Sequence, residues 1–374
     1  MADLFIGLMS GTSLDGIDGV LVDLDVAGGL KVRAHRHAPF PGTLADELLA
    51  LNAVQENELH RAALAGNALA REYAKVVASL LDATGLTPRG VRAIGAHGQT
   101  VRHRPLEFDG TGYTLQLNNP ALLAELTGID VVADLRSRDL AAGGQGAPLV
   151  PAFHRAVFAQ AGRTIGILNV GGMSNLAVLA SDGVTTGFDC GPGNALMDHW
   201  CKLHLGQPFD VEGAWAAGGV VNERLLASML AEPYFALPPP KSTGRDLFRP
   251  EWLHSHLGAV DSAGTLPPQD VQATLAELTA RACAHDVRRH APDATELLVC
   301  GGGAFNRHLM ARLAAQLRGL PVHDSVAWGL PADQVEACAF AWLAFRFVRR
   351  EPGSLASVTG ARGARVLGAL YPAA

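Results

Sequence analysis

Residues Phe5–Asp25 read FIGLMSGTSLDGIDGVLVDLD and consist of two apolar runs on either side of a polar turn. The turn, SGTSLDGID, holds three hydroxyl groups, two carboxylates and two glycines within nine positions. A turn that only reverses the chain between two strands needs a glycine and an Asp or Asn. The additional hydroxyl and carboxyl groups raise the question of what else this turn does.

A second stretch with the same layout, RTIGILNVGGMSNLAVLASDGV, covers Arg163–Val184. It has an apolar run that begins Ile-Gly, a Gly/Ser-rich turn, another apolar run and a second turn with Asp-Gly. Two similar hairpins about 160 residues apart indicate two related units. Strand-like runs alternate with longer helical stretches, which predicts an α/β chain. The Gly/Pro-rich segment Leu140–His154 precedes the second unit and is predicted to be a hinge.

Length and composition limit the class of protein. A chain of 374 residues is too long for one ordinary core, so two domains are expected. A hydrophobic content of 48% with 18% charged residues is typical of soluble globular proteins. The net charge of −6, with no basic block beyond Arg349-Arg350, argues against a nucleic-acid partner. No apolar run approaches the roughly 20 residues needed to span a bilayer, and no basic region begins the chain, so neither a membrane partner nor a secretory signal is expected.

The five cysteines are scattered and form no C-x-x-C pair. This argues against a zinc ribbon and a disulfide framework, and it predicts a cytoplasmic location. None of the 14 histidines lies in an H-E-x-x-H or another tight ligand spacing. A metal ion held by protein side chains alone is therefore not expected.

Four glycine turns each follow a predicted strand: SGTSLDG, NVGGMSN, DCGPGN and CGGGAFN. A single turn of this kind is explained by the need for positive φ. Four in one chain indicate a ligand site, because ligands of open α/β sheets bind at strand ends. Glycines allow the backbone to approach a phosphate, and N–H and hydroxyl groups donate to its oxygens. None of the turns is a P-loop, a G-x-G-x-x-G fingerprint or a G-x-S-x-G nucleophile turn.

The chain resembles the anhydro-N-acetylmuramic acid kinase family through motifs that run in the family's order: MSGTSLDGID (Met9–Asp18), AHGQT (Ala96–Thr100), NVGGMSN (Asn169–Asn175), DCGPGN (Asp189–Asn194), KSTGRD (Lys241–Asp246), CGGGAFN (Cys300–Asn306) and ADQVEACAFA (Ala332–Ala341). The resemblance implies two RNase H-like domains of the actin, Hsp70 and sugar kinase superfamily, with an ATP cleft between them. The implied domains are 1–135, with a C-terminal return at about 350–374, and 136–349. One departure is Cys190, which stands where the family has threonine.

The resemblance also implies the reaction and the cofactors, ATP and Mg²⁺. Enzymes of this family open 1,6-anhydro-N-acetylmuramic acid hydrolytically and phosphorylate O6, which gives N-acetylmuramic acid 6-phosphate and ADP in peptidoglycan recycling. Two alternatives are another sugar kinase of the superfamily and a conformational ATPase like Hsp70 or actin. The AHGQT motif, Arg136 and Glu336 argue against the conformational ATPase, which has no use for them. The sequence leaves the oligomeric state open and admits a homodimer.

Three groups of residues are implied to bind the nucleotide. The first phosphate hairpin comprises Gly11, Thr12, Ser13, Leu14, Asp15, Gly16, Ile17 and Asp18. The opposing phosphate hairpin supplies Asn169, Gly171 and Gly172, and the adenosine turn supplies Gly301, Gly302, Gly303 and Asn306. Asp15 or Asp18 would hold Mg²⁺ through water, with Asp15 the assigned contact. Asn306 could equally be the cap of the helix that follows it.

The reacting sugar requires a base for the attacking water, and Asp189, at a strand end, is the candidate. An aspartate that only caps a turn is the alternative. Arg136 could pair with the lactyl carboxylate through its guanidinium, although Arg138 is equally close in sequence. Carboxylates are rarely buried on apolar helices without a purpose, so Glu336 on the ADQVEACAFA helix is assigned to the substrate. The remaining predicted substrate contacts are His97, Thr100 and Asn194, and a core histidine with satisfied hydrogen bonds is the alternative reading of His97.

Overall fold

A computed structural model describes residues 3–11, 13–26, 28–244 and 247–373. The chain divides by its contacts into two compact units, Met1–Val157 with Gln334–Ala374, and Phe158–Asp333. The sequence placed the domains at 1–135 with about 350–374, and at 136–349. The contacts place 136–157 and 334–349 in the first unit, since the helix Ser137–Ala141 contacts the strand Gly112–Leu117 and the helix Val335–Val348 packs on the first sheet.

The strands are β1 (Asp3–Met9), β2 (Gly16–Leu24), β3 (Leu30–Pro39), β4 (Ala93–Ala96), β5 (Gln99–Pro105), β6 (Gly112–Leu117), β7 (Val131–Ala133), β8 (Ile165–Val170), β9 (Met173–Leu179), β10 (Thr185–Pro192), β11 (Glu296–Cys300), β12 (Val322–Asp324) and β13 (Ala369–Tyr371). The helices are α1 (Gly42–Ala50), α2 (Glu58–Thr84), α3 (Pro120–Thr127), α4 (Ser137–Ala141), α5 (Val150–Phe158), α6 (Ala195–Leu205), α7 (Ala214–Ala217), α8 (Glu223–Leu230), α9 (Pro250–Val260), α10 (Pro268–His290), α11 (Arg307–Gln316), α12 (Val335–Val348) and α13 (Ala356–Thr359). Short 3₁₀ turns cover Pro88–Gly90, Val211–Gly213, Pro233–Ala236, Gly302–Phe305 and Ser325–Trp328.

The sheet of the first unit has six strands in the order β13-β7-β4-β1-β2-β3. Strands β1, β2 and β3 are antiparallel neighbours, whereas β1, β4 and β7 run parallel. Strand β13, near the C-terminus, joins this sheet by pairing with β7. Apolar side chains of α2 and α3 pack on one face of the sheet, and α12 packs on the other.

Two glycines allow α12 to lie against the sheet. Gly7 of β1 and Gly95 of β4 are register partners on neighbouring strands. A Cβ at Gly7 would overlap the carbonyl oxygen of Ala337, and a Cβ at Gly95 would overlap that of Phe340. The backbone of α12 therefore contacts the backbone of the sheet directly, which no residue with a side chain would permit.

The sheet of the second unit has five strands in the order β10-β9-β8-β11-β12. Strands β8, β9 and β10 are antiparallel neighbours, and β8, β11 and β12 run parallel, which repeats the arrangement of β1, β2, β3, β4 and β7. Residues 271–280 of helix α10 are all buried, and the helix packs against this sheet. The repeated hairpin in the sequence therefore corresponds to a repeated sheet topology, as predicted.

Among the residues described, none of the helices combines the length and the apolar character needed to cross a bilayer.

Candidate active site

The first glycine turn connects β1 to β2, and its residue Thr12 lies outside the described residues. Leu14 adopts φ = 60°, which is uncommon for a residue with a side chain, and its N–H donates to the carbonyl oxygen of Gly11 at 3.3 Å. A Cβ at Gly11 would have only atoms of Ser13 within 4 Å. The turn is therefore tight and strained, as ligand-binding turns often are, with open space beside Gly11.

The two carboxylates of this hairpin have different surroundings. Asp15 is exposed in the turn, where the Ser13 hydroxyl donates to its Oδ1 at 2.6 Å. Asp18 lies in β2, and its Oδ1 is 3.1 Å from a ring nitrogen of His35 and 3.1 Å from one of His37. Burial alone would raise the pKa of Asp18, but the hydrogen bonds and charges of the two histidines outweigh it and lower that pKa. The side-chain oxygens of Ser13 and Asp15 thus lie together in the turn, whereas the carboxylate of Asp18 contacts two histidines.

Gly16 and Ile17 lie at the start of β2 and contribute to the sheet. A Cβ at Gly16 would overlap the carbonyl oxygen of Ala38 on β3, so the neighbouring strand explains this glycine. Ile17 is 1% exposed and belongs to the core against α2. Their predicted contact with the nucleotide stays a prediction.

The AHGQT motif holds the first glycine turn in place. The N–H of His97 donates to the carbonyl oxygen of Leu8, and the Ser10 hydroxyl donates to that of Gly98, both at 3.0 Å. The Gln99 side chain donates to the carbonyl oxygen of Gly11 at 3.0 Å. These contacts form because β1 and β4 are parallel neighbours, so their carboxyl ends lie at the same edge of the sheet.

His97 and Arg136 form a buried polar pair. Arg136 Nε and Nη2 lie 3.2 and 3.0 Å from His97 Nε2, and His97 Nδ1 lies 3.3 Å from the carbonyl oxygen of Ser10. Burial and the charge of Arg136 lower the pKa of His97 to about 3, so the ring is neutral. Its partners place the proton on Nδ1 and leave Nε2 to accept from the guanidinium. His97 therefore orients Arg136 without neutralising its charge.

A second contact fixes Arg136 from the other side. Its Nη1 donates to the carbonyl oxygen of Gly146 at 2.8 Å, and the N–H of Gly146 donates to buried Asp139 at 2.8 Å. Asp139 also accepts from the hydroxyl of Thr359 at 2.9 Å. The alternative arginine, Arg138, is exposed. This supporting role of Asp139 was not predicted from the sequence.

Helix α12 brings Glu336 to the same region of the first unit. The ring of Phe340 lies 4.6 Å from that of His97, measured between centroids. Glu336 precedes Phe340 by four residues, so both lie on one face of the helix. Glu336 is half-buried in the first turn of α12. Glu336 thus lies on the face of α12 that packs beside His97, the partner of Arg136, and its predicted contact with the substrate stays a prediction.

Sequence reasoning missed several polar side chains of the β5–β6 ribbon. The predicted sugar contact Thr100 accepts from Gln116 Nε2 at 3.2 Å. On this ribbon and directly beside it, four buried side-chain atoms have no hydrogen-bond partner in the part of the chain described. They are Gln99 Oε1, His103 Nε2, Asn118 Oδ1 and Asn118 Nδ2. Gln99 lies within the AHGQT motif, which is the one signal that could have indicated it.

In the second unit, the segment after β10 encloses the second glycine hairpin. The Asn194 side chain donates to the carbonyl oxygen of Val170 at 3.1 Å, and its backbone N–H donates to that of Gly171 at 2.8 Å. The carbonyl oxygen of Gly172 accepts from the N–H groups of Gly193 and Ala195. Asn194 therefore supports this hairpin, while its contact with the sugar stays a prediction.

The glycine turn CGGGAFN packs on the end of β8, because β8 and β11 are parallel neighbours. A Cβ at Gly301 would overlap buried Asn169, and a Cβ at Gly303 would overlap Val170. Gly302 lies beside the amide of Asn194, which a Cβ at that position would approach to 3.4 Å.

Asn306 begins helix α11. Its side chain accepts from the N–H of Leu309 at 2.9 Å, which is the capping role that the sequence admitted.

Asp189 is held by the loop that follows the 3₁₀ turn Pro233–Ala236. Its N–H donates to the carbonyl oxygen of Lys241 at 3.1 Å, and its carbonyl oxygen accepts from the Tyr234 hydroxyl at 2.8 Å. Its carboxylate Oδ2 accepts from the N–H of Thr243 at 3.0 Å. Asp189 lies on β10 opposite Asn175, next to a bulge. Backbone and carboxylate are thus both fixed, as preorganised catalysis requires.

Lys241, which the sequence left without a role, anchors that loop. Its side chain is 2% exposed, and its Nζ lies 3.1 Å from Oδ2 of Asp286 on α10. The ammonium also lies 5.1 Å from the ring centroid of Tyr234 and 5.6 Å from that of Phe188. A buried ion pair therefore fixes the loop that contacts Asp189.

Cys190 lies in the apolar core of the second unit. It has no exposed surface, and burial together with the neighbouring thiol of Cys283 raises its pKa. The side chain at the position where the family has threonine is thus an interior thiol.

The sequence model of the anhydro-N-acetylmuramic acid kinase family matches residues 3–373. The chain belongs to this family. The anhydro-N-acetylmuramic acid kinase of Variovorax paradoxus (strain S110) is 64% identical to it over 376 residues, with 99% of each chain covered. The kinase of Albidiferax ferrireducens (strain ATCC BAA-621 / DSM 15236 / T118) is 60% identical over 393 residues, with 100% of each chain covered.

A solved structure supports the fold. Component A of (R)-2-hydroxyglutaryl-CoA dehydratase from Acidaminococcus fermentans aligns with a TM-score of 0.50 at 11% identity, covering 91% of this chain and 96% of that one. The predicted α/β fold, family and kinase class are confirmed. The roles predicted for individual residues in this anhydro-N-acetylmuramic acid kinase family member stay predictions.

Proposed function

We propose that this kinase opens the internal C1–O6 bridge of 1,6-anhydro-N-acetylmuramic acid with water and transfers the γ-phosphoryl group of ATP to O6. The products are N-acetylmuramic acid 6-phosphate and ADP, and the pathway served is peptidoglycan recycling. Membership of the family over residues 3–373 is the observation that carries this proposal.

Two bonds break and two form in the reaction. Water attacks C1 as the C1–O6 bond breaks, and O6 attacks the γ-phosphorus as its bond to the leaving ADP oxygen breaks. One proton is lost from the attacking water, and the carboxylate of Asp189 is proposed to accept it. The loop contacts from Lys241 and Thr243 support this role, because they hold the carboxylate in one orientation.

Arg136 is proposed to bind the lactyl carboxylate of the sugar. A guanidinium oriented by a neutral histidine retains its full positive charge, which a carboxylate pairs with. Glu336 would contact the same sugar, and His97, whose two ring nitrogens bind Arg136 and the carbonyl oxygen of Ser10, would hold Arg136 in place. Thr100 and Asn194 complete the proposed substrate contacts.

The nucleotide is proposed to bind through the glycine turns. Gly11 and its neighbours Thr12, Ser13 and Leu14 would approach the phosphates in the first unit, with Asn169, Gly171 and Gly172 doing so in the second. Gly301, Gly302, Gly303 and Asn306 would border the adenosine. The oxygen donors of Ser13 and Asp15 fit Mg²⁺, which prefers hard oxygen ligands and retains several waters. When bound, Mg²⁺ neutralises charge that develops on the phosphates.

The predicted cytoplasmic location is also a proposal, and it is supported by five buried free thiols. The oligomeric state stays open, and the sequence admits a homodimer.

Product analysis in ¹⁸O-water tests the reaction. The purified chain is incubated with the anhydrosugar and Mg·ATP, and the product is analysed by mass spectrometry and phosphorus NMR. The label is expected at the C1 hydroxyl and not at O6, because O6 comes from the bridge. Unlabelled product kept in ¹⁸O-water for the same time corrects for exchange at the anomeric carbon. ATP turnover that is independent of the anhydrosugar, or product without C1 label, would contradict the proposal.

A further inference from the structure

Asn175 is the last residue of the NVGGMSN motif and lies directly opposite the proposed base. Its register partner on the neighbouring antiparallel strand β10 is Asp189. The adjacent pair, Leu176 and Phe188, belongs to the apolar core of the second unit. Because side chains alternate along a strand, Asn175 and Asp189 both point to the other face of the sheet.

The backbone of Asp189 shows which kind of pair this is. Its N–H donates to the carbonyl oxygen of Lys241 at 3.1 Å, and its carbonyl oxygen accepts from the Tyr234 hydroxyl at 2.8 Å. Both backbone groups therefore point away from β9. Asn175 and Asp189 form a non-hydrogen-bonded pair, in which the Cα atoms are about 4.5 Å apart and the side chains are closest.

The amide of Asn175 has an oxygen that the protein does not use. Its Oδ1 is buried and has no hydrogen-bond partner in the part of the chain that the structure describes. Buried polar atoms are normally hydrogen-bonded, so this oxygen requires a donor that arrives with the reactants. The phosphates of ATP offer acceptors only, whereas the water that attacks C1 has two O–H groups.

We propose that Asn175 positions the attacking water by accepting one of its O–H groups at Oδ1, while Asp189 accepts the proton of the other. This inference rests on the proposed function, in which Asp189 is the base for that water. The O–H bond directed at Asp189 breaks as the bond from oxygen to C1 forms. The O–H bond directed at Asn175 stays intact and becomes the C1 hydroxyl of the product. Two fixed acceptors thus hold the water in one orientation, with a lone pair free for the attack.

A matched pair of substitutions tests the acceptor. Asn175→Leu keeps the size of the side chain and removes Oδ1, whereas Asn175→Asp keeps an oxygen at that position. We expect Asn175→Leu to lower kcat by about 10- to 100-fold, the effect of a misplaced reactant. The KM values for ATP and the anhydrosugar should change by less than about threefold, because neither contact is removed. Asn175→Asp should reach a kcat within about threefold of the wild type on the plateau of its pH profile.

The pH profile of Asn175→Asp shows whether position 175 faces the base. Asp189 acts only when it is deprotonated, so kcat falls on the acid side of the profile. A second carboxylate about 5 Å away disfavours the charged form of Asp189, and the acid limb should move to higher pH by about one unit or more. The charges of Lys241 and Asp286, which hold the Asp189 loop, are the same in both proteins.

Asn222→Leu is the matched control. Asn222 is also a half-buried asparagine of the second unit, but its Oδ1 accepts from the N–H of Leu225 at 2.9 Å as the cap of α8. This variant should melt at a lower temperature than the wild type and keep the wild-type kcat.

Three results would overturn the inference: a wild-type kcat in Asn175→Leu, equal losses of plateau kcat in Asn175→Leu and Asn175→Asp, or an acid limb that does not move in Asn175→Asp. Should Asn175→Leu fail to fold, the acid limb of Asn175→Asp decides alone. A wild type that does not phosphorylate the anhydrosugar would instead refute the proposed function.

Discussion

Replacing Lys241 by methionine removes the ammonium group of a buried ion pair and keeps an unbranched side chain of similar length. Asp286 would remain with a side chain 3% exposed and without its cation. Breaking a buried pair by removing one partner typically costs about 3–5 kcal/mol, because a buried charge is left uncompensated. A cost of 1 kcal/mol lowers the melting temperature of a unit this size by about 2–4 °C. The second unit, Phe158–Asp333, should therefore melt about 6–20 °C lower.

Lys241→Met should also reduce turnover. The carbonyl oxygen of Lys241 accepts from the N–H of Asp189, and the neighbouring Thr243 binds its carboxylate, so a loosened loop misplaces the proposed base. A misplacement of about 1 Å can cost 10²-fold, so we expect kcat to fall at least tenfold at a temperature where the variant is folded. Calorimetry and steady-state kinetics on one preparation measure both effects.

Lys75→Met is the matched control, because Lys75 also forms an ion pair, with Glu72 at 2.8 Å, but is 71% exposed. It should change the free energy of unfolding by less than about 1 kcal/mol. The double variant Lys241→Met/Asp286→Leu should regain most of the lost stability, since apolar residues replace buried pairs at little cost. A Lys241→Met protein with the melting temperature and the kcat of the wild type would refute this reasoning.

Asp189→Asn should lower kcat by about 10²–10⁴-fold with KM little changed, as expected for a lost general base, and near-normal turnover in steady-state assays would exclude that role. Cys190→Thr should stay within about threefold of the wild-type kcat, because this side chain lies in the core; loss of most activity would show that the position contacts the reacting groups. Gly7→Ala should destabilise the first unit by at least about 1–3 kcal/mol in denaturant titrations, since its Cβ would overlap the carbonyl oxygen of Ala337 on α12. The control Gly258→Ala, in α9 with no atoms within 4 Å of the added Cβ, should be neutral or stabilising, and an equal loss in both variants would contradict the packing argument.

The parts of the fold that the sequence predicts are those with local signals. The hairpin at Phe5–Asp25 has two apolar runs and a glycine turn, and its counterpart at Arg163–Val184 repeats them, so both hairpins were visible without a structure. Helix α12 was visible because DQVEACAFAWLAFRFV has helical length and consists mainly of apolar residues. The strand-end positions of the glycine turns follow from the same local patterns.

Features that depend on distant residues were not predictable. Strand β13 is three residues long and forms only because β7 is beside it. The pairing of Lys241 with Asp286 joins residues 45 positions apart through the packing of α10. A β-bulge at Val101 in β5 depends on the register of this strand with β6. In a regular strand, the alternation of side chains would place Thr100 and His103 on opposite faces. Each of these features is decided by tertiary contacts, which a local pattern does not contain.

The insertion of the second unit within the sequence of the first has a consequence for synthesis on the ribosome. Residues 1–157 emerge first, but the face of β1 and β4 that contains Gly7 and Gly95 is covered by α12, which follows residue 333. The N-terminal part must therefore wait, with apolar residues such as Phe5 uncovered, until nearly the whole chain has been made. The second unit, whose residues are consecutive, is free to fold earlier. Domains generally complete their folding in order from the N-terminus during translation, but the first unit of this chain can be completed only after the whole second unit has been synthesised.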